Sequence, residues 1–471
     1  MKTKCTAGRL RFHGLGRREV VVDFDGGAIS SDAGALLLRE VEQRSGILQG
    51  FAKCFHDYRD PALIEHTVEE LVSQRVYALA LGYEDLNDHD ELRLDPLLAV
   101  VVGKADPKGL NRIREQDQGK PLAGKSTLNR LELTPAEANA ASRYKKIVAK
   151  PEAIDEWLVS VFLNSYQAPP KRIVLDLDAT DDPVHGHQEG RFFHGYYRHY
   201  CYLPLYIFCG EDLLCARLRE ANRDASAGAV EELERIVGQI RRAWPEAEIC
   251  IRADSGFCRE AMMAWCEAHG VRYVLGLAKN SRLQAALAKG LEQAKAQFEA
   301  TGEAARVFED FRYRTRESWS QERRVIGKAE HLAKGANPRF VVTDLRVEEM
   351  SARALYEQLY CARGEMENRI KEQQLALFAD RTSTATLRAN QIRLYFSSVA
   401  YLLLRALRRL GLSGTAMAKG QSNTLRLKLL KIGAHICITA RKVWIALSAS
   451  YPYAGLFRQV YENLRQVPMH C

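Results

Sequence analysis

Along Tyr360-Cys-Ala-Arg-Gly-Glu-Met-Glu-Asn-Arg-Ile-Lys-Glu-Gln-Gln374, the residues Tyr360, Arg363, Glu367, Lys371 and Gln374 recur at offsets 0, 3, 7, 11 and 14. At about 3.6 residues per turn these fall in one row on a helix. The row holds one carboxylate, two cations, a phenol and an amide. It reads either as a solvated face held by Arg363–Glu367 and Glu367–Lys371 pairs at i,i+4, or as a face that meets a polyanion and a metal. Gly364 inside the stretch costs about 1 kcal/mol relative to alanine; it is a tolerated glycine or a place where a nucleic-acid backbone comes close. Two further carboxylates close apolar runs, Arg172-Ile-Val-Leu-Asp-Leu-Asp178 and Glu248-Ile-Cys-Ile-Arg-Ala-Asp254. Three acids from distant points, Asp178, Asp254 and Glu367, suit hard oxygen-seeking cations. Two magnesium ions about 3.5–4 Å apart can activate an oxygen nucleophile and stabilise the leaving oxygen of a displacement at phosphorus. Without metal, acids so close raise each other's pKa, so a cation belongs to such a site. Asp176 competes with Asp178, because strand alternation puts both on one face.

The elements that must position these acids follow from patterning. After Pro169-Pro170, Arg172–Asp178 reads as a strand, and Leu203–Cys209 and Leu213–Leu218 read as a hairpin across Gly210-Glu-Asp212. A helix over Ala225–Ala243, a strand ending at Asp254, a helix over Arg259–His269 and a strand over Arg272–Leu277 complete the order β, ββ, α, β, α, β. That order predicts an α/β mixed sheet of RNase H-like layout, in which the first and fourth strands are neighbours and Asp178 stands beside Asp254. The charged strands Val307–Arg314 and Glu322–Lys328, with Arg339–Thr343, read as a β-rich insertion. The chain therefore divides into a mostly helical segment 1–165, a first core part 166–280, the insertion 281–345, a second core part 346–410 and a basic helical region 411–471.

Within the helical segment, Ser31-Asp32, Thr67-Val-Glu-Glu70 and Thr134-Pro-Ala-Glu137 each predict a helix start. From Arg381 to Cys471 there are 14 Lys+Arg and a single acid, Glu462, in a chain of net charge +9. The basic surface around Thr424–Gly433 and Arg441-Lys442 suits a DNA backbone and a second subunit, or serves only to solubilise an apolar helical region.

The order Tyr360-x(2)-Arg363-x(3)-Glu367 resembles the signature of DDE transposases of bacterial insertion sequences, in the branch that excises through a DNA hairpin. That signature continues with six residues and a lysine; here the position is Gln374, and the nearest lysine is Lys371. Asp178-Ala-Thr180, Asp254-Ser-Gly-Phe257 and Glu367-Asn368 resemble the surroundings of the family's three acids. The resemblance implies that Asp178, Asp254 and Glu367 are catalytic and bind Mg2+, with Mn2+ able to substitute and no nucleotide needed. It implies that Tyr360, Arg363 and Lys371 contact DNA phosphates. It also implies a β insertion whose aromatic residue supports an extruded base; Trp319 in Arg314-Thr-Arg-Glu-Ser-Trp-Ser-Gln fits that description, or simply packs on the insertion. The implied partners are double-stranded DNA (the terminal inverted repeats of its own element and target DNA) and a second copy of the chain when bound to DNA.

Other readings compete. Gly119-Lys-Pro-Leu-Ala-Gly-Lys-Ser126 fits the P-loop pattern, which would make the chain a P-loop ATPase acting on nucleic acid. Asn111–Gln118 before it has one apolar side chain in eight, so the strand a P-loop requires is missing. A catalytically inactive DNA-binding protein is the third reading. The histidines of His185–His199 lie at no standard zinc spacing and read as a polar loop near the active site that touches phosphates. Eleven cysteines, without a Cys-x-x-Cys pair, read as reduced thiols. With no apolar leader at Met1–Gly8 and no membrane span, the expectation is a cytoplasmic, nucleoid-associated protein.

Overall fold

A computed structural model describes residues 9–470; Met1–Gly8, on which the expectation about a leader rests, and Cys471 lie outside the described residues. The chain packs as two units, one of residues 1–45, 64–128 and 407–471, the other of 46–63 and 129–406. Segments at both ends of the sequence, expected as separate regions, thus belong to the same unit.

In the second unit, helix α1 (Pro151–Asn164) leads into strand β1 (Arg172–Ala179), then the hairpin β2 (Leu205–Cys209) and β3 (Asp212–Arg217). Helix α2 (Ala229–Ala243), strand β4 (Glu248–Ala253), helix α3 (Glu260–Ala268) and strand β5 (Arg272–Leu277) follow. Next come helix α4 (Ala288–Thr301) and strands β6 (Ala305–Tyr313), β7 (Arg323–Leu332) and β8 (Arg339–Thr343). Helices α5 (Gly364–Leu377) and α6 (Leu387–Ala406) close the unit. The strands form one mixed sheet in the order β3-β2-β1-β4-β5-β8-β7-β6. β1, β4 and β5 are parallel, while β2 and β8 run antiparallel to their neighbours. The strands expected as an insertion therefore continue the same sheet, because β8 takes the open edge of β5.

The sheet is held by apolar side chains such as Leu175, Leu177, Ile249 and Ile251, packed against Leu233, Ile236 and Ile240 of α2. The apolar helix α6 covers the hairpin edge: Gln391 accepts from the Leu218 amide and donates to the Ala216 carbonyl, so the edge backbone is not left unpaired.

The first unit is helical where Thr67 caps Val68–Leu81: its hydroxyl accepts from the Glu70 amide, and Glu70 accepts from the Thr67 amide. The similar Thr134-x-x-Glu137 pattern, in the second unit, starts no helix. Thr134 instead donates its hydroxyl to the Arg130 carbonyl at 2.5 Å and finishes the preceding helix. The C-terminal region is not all helix either. Ala434–Ile438 and Val443–Leu447 pair as a hairpin, and Ile29–Ser30 adds to its edge. The alternation of Ile436, Ile438, Val443 and Ile445 is the period-two signal that the basic, apolar composition masked. No helix among the described residues is long and apolar enough to cross a membrane, and the nine described cysteines are free thiols.

Candidate active site

The register of the central strands brings the first two acids together. Ala253 of β4 pairs with Leu177 of β1 in parallel, so the next residue on each strand is Asp254 and Asp178. Asp254 turns out of its strand and caps a short turn, accepting from the Gly256 amide at 2.8 Å. Asp178 accepts from the Ala179 amide at 3.0 Å. Asp176, on the same face, is occupied: Arg252 donates two hydrogen bonds to its carboxylate, the longer at 2.7 Å, and a third to the Leu359 carbonyl.

The third acid arrives on a chain segment whose winding changes. It is π-wound over Leu355–Tyr360, 3₁₀ over Cys361–Arg363, and α-helical only from Gly364. Such changes of pitch are frequent at functional sites. Here they aim Tyr360 and Arg363 at the strand ends. Arg363 donates to Asp178 Oδ2 at 3.3 Å through one terminal nitrogen and to Glu367 Oε1 at 2.9 Å through the other. The two carboxylates therefore stand at opposite ends of one guanidinium, within a side chain's reach. A Cβ added at Gly276 of β5 would lie 2.6 Å from the Tyr360 hydroxyl and 2.9 Å from the Ser255 amide. Glycine is thus what lets the phenol reach the strand end beside Asp254. Sequence reasoning passed over Gly276 and Arg252; a glycine inside the strand Tyr-Val-Leu-Gly-Leu was the available signal.

Electrostatics tie the group together. Burial, chiefly, pushes the Asp178 carboxyl up to about 6; Arg363 opposes the rise, while the charges of Asp254 and Glu367 add to it. Burial also raises the Tyr360 phenol, again with Arg363 opposing and Asp254 adding.

The remaining expected residues are placed as follows. Lys371 is exposed one turn beyond Glu367. Gln374 donates to the Asp181 carbonyl at 3.1 Å and to Asp182 Oδ1 at 2.9 Å, fastening α5 to the chain just after β1. Asp182 is fully buried, and burial lifts its carboxyl to about 8. Trp319 is 4% exposed in the core of the sheet unit, edge-on to Tyr313 with ring centres 5.7 Å apart and with the Arg323 guanidinium over its ring. That placement fits the packing alternative and leaves the ring no face for an extruded base.

The P-loop look-alike has no strand before it: residues 111–118 are turns and a short 3₁₀ segment. Several of its amides are already used, Ala123 bonding Gln74, Leu122 the Arg93 carbonyl and Lys125 the Asp90 carboxylate. With Ala123 and Lys125 bonded within the protein, these amides do not form a phosphate cradle.

A family model described as Transposase DDE domain group 1 matches residues 12–469. The chain belongs to the DDE transposase family. A search of curated proteins finds no match. Transposases bind DNA, and DDE domains use divalent metal ions, so the donor set of this transposase has to be tested against such an ion. Its chemistry fits: three carboxylates, electrostatically coupled and without competing sulfur or nitrogen ligands. As they stand, no three ligating side chains among the described residues are gathered closely enough to hold an ion. The Arg363 guanidinium takes the place between Asp178 and Glu367.

Proposed function

We propose that this transposase cleaves and joins DNA at the ends of its own insertion sequence, by cut-and-paste and through a DNA hairpin. Asp178, Asp254 and Glu367 are the catalytic acids and would hold Mg2+, for which Mn2+ can substitute; no nucleotide is used. The bound ions would supply an activated oxygen nucleophile and charge stabilisation at phosphorus. Tyr360, Arg363 and Lys371 meet the phosphates, as a row of donors beside the acids can. The partners are the terminal inverted repeats and target DNA, with a second copy of the chain joining on DNA.

One observation carries this reading. A single guanidinium, four residues before Glu367, touches both that acid and Asp178, which lies 185 residues away along the chain. The strand order β3-β2-β1-β4-β5, with only β2 antiparallel to the rest of that set, supports an RNase H-like core. The signature Tyr360, Arg363, Glu367 supports the hairpin branch. An ATPase reading has no geometric support at Gly119–Ser126, and the presence of all three acids, two of them joined through Arg363, argues against a decayed enzyme.

The test uses DNA flanking the coding region. Glu367→Gln should keep end binding and lose strand nicking in Mg2+. Nicking at the wild-type rate would end the assignment.

A further inference from the structure

Between β1 and β2 the chain forms a small antiparallel sheet, in which Phe192–His194 pairs with His199–Tyr202 and the latter with Asp182–Pro183. Cys201 and Tyr202 of this sheet are buried, but other rings are not. Phe193 is 56% exposed, Tyr200 48% and Tyr196, on the turn, 84%. Phe193 and Tyr200 are cross-strand partners, so they share one face, and their rings meet edge-on at 5.7 Å. Arg191 is two residues before Phe193 on the same face, with its guanidinium 4.5 Å from the centre of the Tyr200 ring. Arg198 holds the turn in a left-handed conformation at φ 60°, its amide donating to the His194 carbonyl at 2.8 Å. A non-glycine residue in that region costs about 1 kcal/mol or more and marks functional segments.

The segment also carries cations. Residues 181–202 hold Arg191, Arg198 and four histidines together with three acids: Asp181, which His199 bonds, Asp182, which is buried, and Glu189. Glu189 is engaged at the start of α6, where it accepts from the Leu387 amide at 3.0 Å. The opposite face looks toward the catalytic strand: His199 bonds Asp181 at 2.8 Å, and the Tyr197 phenol is raised first by burial and then by the charges of Asp181 and Asp178. Exposed rings and a stacked guanidinium thus stand on the segment that follows Asp178 in the chain and bonds Asp181.

We infer that Phe193, Tyr196 and Tyr200, with Arg191, form a stacking platform for an unpaired DNA strand next to the scissile phosphate. Cations alone would suit any phosphate backbone. Open aromatic faces add nothing to a duplex, whose bases are stacked on each other, but they bind the π-faces of unpaired bases of any sequence. The platform, not Trp319, is then the aromatic surface available to a base removed from the helix. Its purpose rests on the transposase reading; its existence as a base-binding surface does not.

The experiment measures binding of the full chain, without metal, to three labelled probes at one salt concentration. They are a 20-nucleotide thymidine strand, an abasic strand of the same length, and a 20-base-pair duplex. The wild type should bind the thymidine strand more tightly than the abasic one. The Phe193→Ala/Tyr196→Ala variant should lose about tenfold to a hundredfold on the thymidine strand, the range expected for one or two stacked bases. Its affinity for the abasic strand and the duplex should not change. Tyr196→Ala alone removes a ring that is 84% exposed and meets the Tyr197 ring edge-on, so it tests the platform with little change to packing; it should lose part of the preference. Equal wild-type binding to thymidine and abasic strands, or an undiminished preference in the variants, overturns the proposal. If the base preference behaves as expected but Glu367→Gln still nicks DNA, the catalytic assignment falls and the platform stands.

Discussion

Replacing Asp178 with asparagine separates the electrostatic role of this acid from its chemistry. In the metal-free protein its carboxyl titrates at about 6, against an ordinary 3.8, and the side chain is 16% exposed. A displacement of about two pKa units corresponds to roughly 3 kcal/mol favouring the protonated form in the fold. The folded state thus binds this proton more tightly than the unfolded chain does. As pH rises from about 4 to about 6, the unfolded chain loses the proton first, so wild-type stability falls across that window and stays lower above it. Asparagine cannot ionise and escapes the loss. In EDTA, Asp178→Asn should therefore gain on the wild type by up to about 3 kcal/mol between pH 4 and pH 7.5. Urea denaturation followed by tryptophan fluorescence reads this, since Trp157, Trp244, Trp265 and Trp319 all lie in the sheet unit. Adding Mg2+ should narrow the gap by stabilising the wild type alone. Parallel stability curves across this range would refute the account of a desolvated acid crowded by its neighbours.

Three further outcomes follow from the same geometry. At Mg2+ well below saturation the nicking rate should drop as pH falls below about 6, because proton and metal then compete for the Asp178 carboxyl; a flat profile down to pH 5 under those conditions would count against Asp178. Gln374→Ala removes both hydrogen bonds to Asp181 and Asp182 and strands a buried carboxyl. It should cost about 1–3 kcal/mol in urea denaturation, and no loss would mean that Gln374 does not fasten the helix that carries Glu367. A Cβ at Gly364 would meet no protein atom within 4 Å, and its φ is −57°. Gly364→Ala should therefore stabilise the chain by about 0.4–1 kcal/mol, while a DNA backbone lying against this surface would show as weaker end binding.

Local signals in the sequence carried much of this protein. Apolar runs closed by aspartates specified β1 and β4, and their order with the hairpin and helices specified which strands become neighbours, because right-handed crossovers leave few arrangements. The spacing of Tyr360, Arg363 and Glu367 specified that these three side chains share a direction. Competition among long-range contacts was not legible. Asp176 and Asp178 look equivalent in sequence, and only the reach of Arg252 from the neighbouring strand occupies the former. Trp319 sits among charges in sequence, yet Tyr313 and Arg323 from paired strands enclose it. The P-loop letters match, but several of their amides are bonded elsewhere. Strand alternation at residues 434–447 lost out to composition in the reading, and Ile29–Ser30, some 400 residues earlier, completes that sheet. The types and spacing of residues thus set what each segment could do, while tertiary packing decided which polar groups were left free to do it. A side chain's availability depends on partners that the chain brings in from far along its length.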